Sequence, residues 1–323
     1  MTPRFPNLDP DLAAVAARLQ AGNFSPAFRG SVQPARDRMQ AAAASARALY
    51  GVPAVATTED RTATHDGLEV PVRIYRPHSA NAHLPTVVFF HGGGFALGSV
   101  ELMDDIARKL CRDLEAVIVS VDYRLAPEHR FPAAHDDAVT ATSWACAAAS
   151  ELGGDRLCVA VAGESAGANL AAYVAIAMRD RGVPLAAQLL IVPGVDFARD
   201  TQKLEQDGRS YPMLTPSDLR DIARLYLGAA EDSAACVPPS PMHCKDLGGL
   251  APAVVAVAGW DPLCEEGLEY ARRLQRAGVA TQVLRYDAMF HPFFGFFEVA
   301  DAARRANDEI CRVFRSRLES TAL

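Results

Sequence analysis

The chain opens with helical periodicity. Asp9 before Pro10 reads as an N-cap with proline at the first helical position, and Leu12, Val15, Ala16 and Leu19 fall on one face. A second helix is predicted from about Pro34 to Gly51, through an alanine-rich stretch carrying Met39, Ala43 and Leu49. The period then changes. Residues 68–75 alternate largely like a half-exposed strand, and Pro71 places that strand near a sheet edge. From Thr86 onward the apolar positions form short continuous runs, at 87–90, 116–121, 157–161, 189–192 and 254–257. Such runs fit strands covered on both faces, as in a parallel sheet. Helix-length segments lie between several of them, at about 102–114, 133–152, 166–181 and 265–277. Strand and helix alternating in this way predict an α/β fold with right-handed crossovers. Residues 196–245 break the rhythm. They are polar, rich in Asp, Ser and Pro, with one amphipathic helix near 216–227, and read as an insertion that forms a lid with the N-terminal helices.

Composition narrows the class. At 323 residues the chain is one large domain with an insertion, or two domains, and it can bury a sizeable core without staples. Lys and Arg number 32 against 39 Asp and Glu, a net charge of −7, which argues against a nucleic-acid partner that would need a basic stripe. Half the residues are apolar, which excludes disorder. No apolar run approaches the ~18 residues of a membrane span; the longest, at 185–195 and 251–260, are interrupted by Pro or polar residues. Residues 1–6 show no apolar secretory segment, so a cytoplasmic location is expected. The seven cysteines (Cys111, Cys146, Cys158, Cys236, Cys244, Cys264 and Cys311) are scattered, without a C-x-x-C pair or histidines at zinc-ligand spacing. Free thiols, no disulfide and no metal are expected.

Two glycine motifs carry chemistry. Gly163-Glu164-Ser165-Ala166-Gly167 follows an apolar run and precedes a helical stretch, the strand–turn–helix context that gives G-x-S-x-G meaning. Small flanking residues permit a turn tight enough to lift the Ser165 hydroxyl clear of the sheet, at the positive end of a helix. The bland alternative is a glycine-rich turn with an exposed serine. His91-Gly92-Gly93-Gly94 follows another buried run and is the sharper signal. Consecutive glycines let backbone N–H groups approach a substrate and hold a developing oxyanion. A phosphate-cradling loop is the rival, but no Gly-Lys-Ser/Thr ending or G-x-G-x-x-G pattern is present.

A serine nucleophile needs a base, and the base an orienting carboxylate. Asp261 and His291 each follow an apolar strand-like run in the order serine, acid, histidine. Glu265 and Glu266 are alternatives for the acid, although they fall in the following helix; His291 alternatively sits as a plain member of an aromatic cluster.

These motifs resemble the hormone-sensitive-lipase-like carboxylesterases of the α/β-hydrolase superfamily, the HGGG-motif bacterial family IV. The resemblance runs from about Arg73 to Phe297. It rests on the residues at 91–95, the Asp122-Tyr123-Arg124-Leu125-Ala126-Pro127-Glu128-His129 segment with Phe131-Pro132-Ala133-Ala134, the serine motif, Asp261-Pro262-Leu263 with Glu266-Gly267, and His291. It implies an α/β-hydrolase fold: a mostly parallel sheet flanked by helices, with a helical cap. The catalytic domain is expected at 51–195 and 246–323, and the cap at 1–50 and 196–245. Ser165 is implied as nucleophile, His291 as base and acid, and Asp261 as its orienter. Gly93, Gly94 and Ala166 are implied as oxyanion donors, while His91, Glu128 and Glu164 give structural support. Pocket walls are expected among Phe24, Phe95, Leu97, Tyr211, Met213, Leu214 and Phe294. Three places depart from the family pattern: Glu164 where Asp or Thr is usual, Cys264-Glu265 where Arg-Asp is frequent, and Pro292 in place of glycine, which stiffens that loop and narrows the pocket.

The function expected is hydrolysis of short- to medium-chain acyl or aryl esters through an acyl-enzyme, with no cofactor. An amidase or deacetylase of the same mechanism stays open, because the triad does not decide between oxygen and nitrogen leaving groups. A ligand receptor on a hydrolase fold would be expected to lack a triad member, and a peptidase to carry a further gating domain. The partner is a small-molecule ester; dimers are common in the resembled family, so a homodimer is the assembly it allows.

Overall fold

Pro71 lies near a sheet edge, as expected, in the strand next to the outermost one. The computed structural model describes residues 5, 7–21, 27–81 and 83–321. In it two helices, α1 (Pro10–Ala21) and α2 (Gln33–Tyr50), precede a hairpin of β1 (Thr57–His65) and β2 (Leu68–Arg76). β1 is the outer strand, paired antiparallel to β2 along its whole length. Its sequence, with Ala63 alone buried, carries no apolar alternation because one face meets solvent and the other meets the helix Ala133–Ala148 mainly through Arg61 and Ala63. The signal that was available is the Asp66-Gly67 turn, whose two residues take positive φ of 50° and 79° in a two-residue hairpin. Pro71 is tolerated in β2 because the ladder to the next strand starts one residue later, at Val72, while the Pro71 carbonyl accepts from Asp122 N.

The chain then alternates: β3 (Leu84–Phe90), α3 (Asp104–Leu114), β4 (Val117–Val121), α4 (Ala133–Ala148), β5 (Gly154–Glu164), α5 (Ala166–Asp180) and β6 (Gln188–Ile191). Two helices, α6 (Thr201–Gln206) and α7 (Pro216–Leu227), interrupt the series before β7 (Ala253–Trp260), α8 (Cys264–Arg276), β8 (Thr281–Phe290) and α9 (Asp301–Thr321) complete it. The single sheet has the order β1-β2-β4-β3-β5-β6-β7-β8, and every pairing beyond β2 and β4 is parallel. This is the α/β-hydrolase architecture.

Period-two alternation divides the central strands between two cores. Val88, Val119, Val161 and Val255 face α4, α5 and α8, while Val87, Ile118, Ala160 and Val254 face α1, α3 and α9. Burial on both faces is why these strands read as continuous apolar runs. Two expectations need correction. Leu157 opens the run at 157–161 but is 84% exposed, because it lies in the irregular stretch of β5 between the pairings of Gly154 with Leu84 and of Val159 with Thr86. Leu49 is 73% exposed, so the second helix's apolar stripe ends before its last turn.

α7 has the expected bounds, fixed by Thr215, whose hydroxyl accepts from Asp218 N while the Asp218 carboxylate accepts from Thr215 N. α6 was not anticipated; it is one short polar helix capped by Asp200, and it buries none of its residues. Among the described residues no helix is long and apolar enough to cross a membrane.

Candidate active site

Four chemistry-bearing residues occupy the same kind of position. His91, Ser165, Asp261 and His291 each come immediately after the last residue of a strand, β3, β5, β7 and β8 respectively. Parallel strands end together, so the sheet collects these residues at its carboxyl edge, where open α/β sheets bind ligands.

Ser165 sits in a strained turn, with φ 57° and ψ −116°, between β5 and α5. The turn is held by Ser165 N donating to Ile191 O at 2.8 Å. Glycine is required beside it: a Cβ on Gly167 would fall on the carbonyl of Phe90. The His291 imidazole lies between Ser165 and Asp261. Its Nδ1 donates to Asp261 Oδ2 at 2.8 Å, and its Nε2 faces Ser165 Oγ at 2.9 Å. A carboxylate can only accept, so it sets the tautomer and leaves Nε2 free to take the hydroxyl's proton. The second oxygen of Asp261 accepts from Leu263 N at 2.8 Å, which fixes the carboxylate's rotamer. Neither alternative acid takes part. Glu265 is exposed on α8, and Glu266 is turned the other way, accepting from Arg199 and from the N–H groups of Val195 and Asp196.

Burial by itself would pull the His291 imidazole down, but the charge and hydrogen bond of Asp261, joined by the charge of Glu164, outweigh it and raise its basicity. Glu164 is fully enclosed and borders the same cavity as Ser165; burial pushes its carboxyl up to about 7, against the opposing pull of His291. Its Oε1 has no hydrogen-bond partner. An aspartate, one methylene shorter, would not reach as far into this space.

The glycine loop is held from behind. His91 is buried and kept neutral by desolvation, and its ring stacks on Tyr123 with centroids 4.2 Å apart. Tyr123 OH donates to His91 O at 2.7 Å. Gly93 takes φ 122°, which a side chain would disfavour, and its carbonyl accepts from Leu97 N at 2.8 Å. Glu128 acts through Arg36 on α2, a residue that no motif pointed to: one guanidinium donates to both oxygens of Glu128 and to the carbonyls of Ala96 and Ala126.

Ser165, His291, Gly92, Gly93 and Gly94 open onto a cavity of 160 Å³. Of the expected wall residues, Leu97, Met213 and Leu214 line it. Phe95 does not: its ring stacks on Tyr226 at 4.1 Å and is buried beneath the loop. Phe294 is wholly buried in the core around α9, and Tyr211 stands by Arg209 outside the lining. Phe24 lies outside the described residues. Pro292 lines the cavity too, and walls not foreseen include Phe28, Met39, Met103 and Ile222, which converge from four separate segments. Met39 was at least legible as part of an apolar helical stripe.

Below the serine lies a buried polar network that the motifs did not reveal. His135 donates through Nε2 to Asn169 Oδ1 at 3.1 Å and accepts at Nδ1 from Tyr226 OH at 2.7 Å. Asn169 Nδ2 donates to Gly194 O and Pro239 O, each at 2.8 Å. Burial drives the His135 imidazole down to about 3, so it stays neutral. Cys264 is buried, its thiol pushed up to about 11 by desolvation, which makes it inert. All seven cysteines are unpaired, and no cluster of three or more His, Cys, Asp or Glu among the described residues is placed to hold a metal ion.

Residues 87–295 match the family described as alpha/beta hydrolase fold. The chain is 38% identical over 256 residues to the carboxylic ester hydrolase LipN of Mycobacterium tuberculosis, covering 77% of this chain and 68% of that relative. It is 37% identical over 245 residues to an arylesterase of Saccharolobus solfataricus, covering 75% and 78%. The solved structure of a hyperthermophilic esterase from the archaeon Pyrobaculum calidifontis superposes with a TM-score of 0.88 at 37% identity, over 96% of this chain and 98% of that one. Five ordered motifs, the sheet order and these likenesses agree: the chain belongs to the α/β-hydrolase-fold family, in its hormone-sensitive-lipase-like branch.

Proposed function

We propose that this protein is a serine carboxylesterase that hydrolyses short- to medium-chain acyl or aryl esters. The observation that carries the reading is the unbroken chain Asp261–His291–Ser165, with links of 2.8 and 2.9 Å at the mouth of an apolar cavity. Ser165 Oγ bonds to the ester carbonyl carbon while His291 Nε2 takes its proton, and Asp261 stabilises the imidazolium that results. The N–H groups of Gly93, Gly94 and Ala166 hold the oxyanion. The intermediate collapses, and the alcohol leaves with the proton from His291. Water, deprotonated by His291, then attacks the acyl-serine, and the acid is released as Ser165 recovers its proton.

The cap in this reading is residues 1–50 with 196–245, which supply Leu19, Met39, Met213, Leu214 and Ile222 to the cavity over a catalytic domain of 51–195 and 246–323. The small volume favours short acyl groups in the catalytic cavity itself. Seven unpaired thiols accord with a reducing, cytoplasmic setting. Among the described residues no strand pairs with the outer edge of β8, which leaves that edge open to a homodimer contact, to be tested by light scattering in solution.

The test is turnover of p-nitrophenyl acetate and butyrate beside the matching anilides. Esters hydrolysed, with loss of activity in Ser165→Ala, are expected. Anilides cleaved faster than esters would move the assignment to an amidase, and full activity in Ser165→Ala would remove Ser165 from its role.

A further inference from the structure

A second cavity, of 440 Å³, adjoins the catalytic one. Six residues border both: Leu19, Ala27, Met39, Met103, Met213 and Pro292. The two spaces are therefore divided only by a collar, and three of its members are unbranched, flexible methionines that yield readily to a passing chain. Beyond the collar the lining is largely aliphatic, with Ala42, Ala43 and Ala46 of α2 opposite Ile106 and Phe296.

Charge is distributed unevenly over this lining. Arg47 has both terminal nitrogens engaged, donating to Glu101 and to the carbonyls of Glu101 and Leu102, although its Nε is enclosed without a partner. Asp105 accepts from Ile106 N and feels the charge of Arg47, and Glu298 feels that of Arg112. Arg38 is different. It sits next to Met39 of the collar, half-buried, its Nε is enclosed without a hydrogen-bond partner, and among the described residues no ion pair or side-chain hydrogen bond engages its terminal nitrogens. Arg18 of α1, which is exposed, borders the same cavity, likewise without an ion pair among the described residues. A guanidinium beside an apolar cavity with no partner of its own can take up an anion that enters there, and its planar fork matches a carboxylate.

Resting on the ester-hydrolase reading, we infer that the second cavity receives a long apolar arm of the ester whose far end carries a carboxylate, held by Arg38 with Arg18. The preferred substrates are thus half-esters of medium-length dicarboxylic acids or esters of similar amphiphilic acids. The catalytic cavity handles the ester group, and the collar passes the methylene arm.

Three substrates test this: p-nitrophenyl butyrate, p-nitrophenyl octanoate and mono-p-nitrophenyl suberate, the last two differing only in a terminal methyl against a carboxylate. Wild-type protein is expected to show a suberate-to-octanoate ratio of kcat/KM at or above one. Arg38→Gln is expected to lower that ratio at least tenfold, through KM, with Arg38→Lys restoring part of it. Ala43→Trp, which fills the second cavity, should lower both long substrates relative to butyrate. A wild-type ratio below one-tenth overturns the inference without any variant being made, as does a ratio that Arg38→Gln leaves unchanged. Absence of butyrate turnover in the wild type is a separate result and overturns the ester-hydrolase reading itself.

Discussion

Arg36 donates to both carboxylate oxygens of Glu128, at 2.8 and 2.9 Å, across 92 residues of sequence. The same side chain donates to Ala96 O and Ala126 O, each at 2.9 Å. One guanidinium on α2 thereby ties the N-terminal region to the loop beyond the glycine motif and to the segment that braces it.

Arg36→Met removes four hydrogen bonds at once and leaves two half-buried carbonyls unmet. A stability loss of about 2 kcal/mol is expected, read as a lower urea midpoint, with kcat falling more than KM rises because the oxyanion loop loosens. Glu128→Gln should cost less than about 1 kcal/mol, since Glu128 is 52% exposed. Equal losses in the two variants would show that the carbonyl contacts contribute nothing.

Asp261→Asn replaces an acceptor-only group by an amide that can donate to His291 Nδ1, favouring the tautomer with the proton on Nε2. That nitrogen can then no longer take a proton from Ser165. A fall in kcat on the order of ten-thousandfold is expected with the fold retained; a loss under tenfold would count against Asp261 as orienter.

The pH profile follows from His291 and Glu164. His291 must be neutral to act as base, and its basicity is raised, so the acid limb of kcat/KM should lie above the ordinary histidine value of about 6.5. The Glu164 carboxylate contributes to that rise. Glu164→Gln removes a negative charge, destabilises the imidazolium and moves the limb to lower pH, by roughly half a unit to one unit. The difference between variant and wild type should fade below pH about 7, where Glu164 itself becomes protonated. A limb that stays put or moves upward would show that the two groups are not coupled.

Tyr226→Phe deletes the hydroxyl that donates to His135 Nδ1 and leaves a buried nitrogen without a donor. A loss of about 1–3 kcal/mol is expected from thermal or urea unfolding. His135→Ala in the same background should then add less than it does alone, and strict additivity would argue that the two do not form one network.

Much of the candidate site was legible because strand ends punctuate the sequence. Apolar runs at 87–90 and 254–257 are followed within a few residues by His91 and Asp261, and the serine motif stands where β5 turns into α5. What lay hidden shares a physical character. β1 is mostly exposed, with Ala63 its one buried residue, and has no hydrophobic period to read. Arg36, His135 and Asn169 sit in unremarkable helical positions, and their roles arise only from partners far away in sequence. Phe95 and Phe294 were equally plausible as walls or as core, since aromatic burial against a cavity and against packed side chains leaves the same trace in a sequence.

By itself, then, the sequence determined the α/β alternation, the order of the chemical groups and the residue types that nucleophilic ester hydrolysis requires, because these depend on local period and on turns that admit only glycine. Only the tertiary structure decided which carboxylate meets His291, that Glu164 has an unpartnered oxygen beside the site, and that a collar of methionines joins two cavities. Those are matters of distance between segments separated by tens to hundreds of residues. Such distances are set by how helices and strands pack into one core, which no local window of sequence contains.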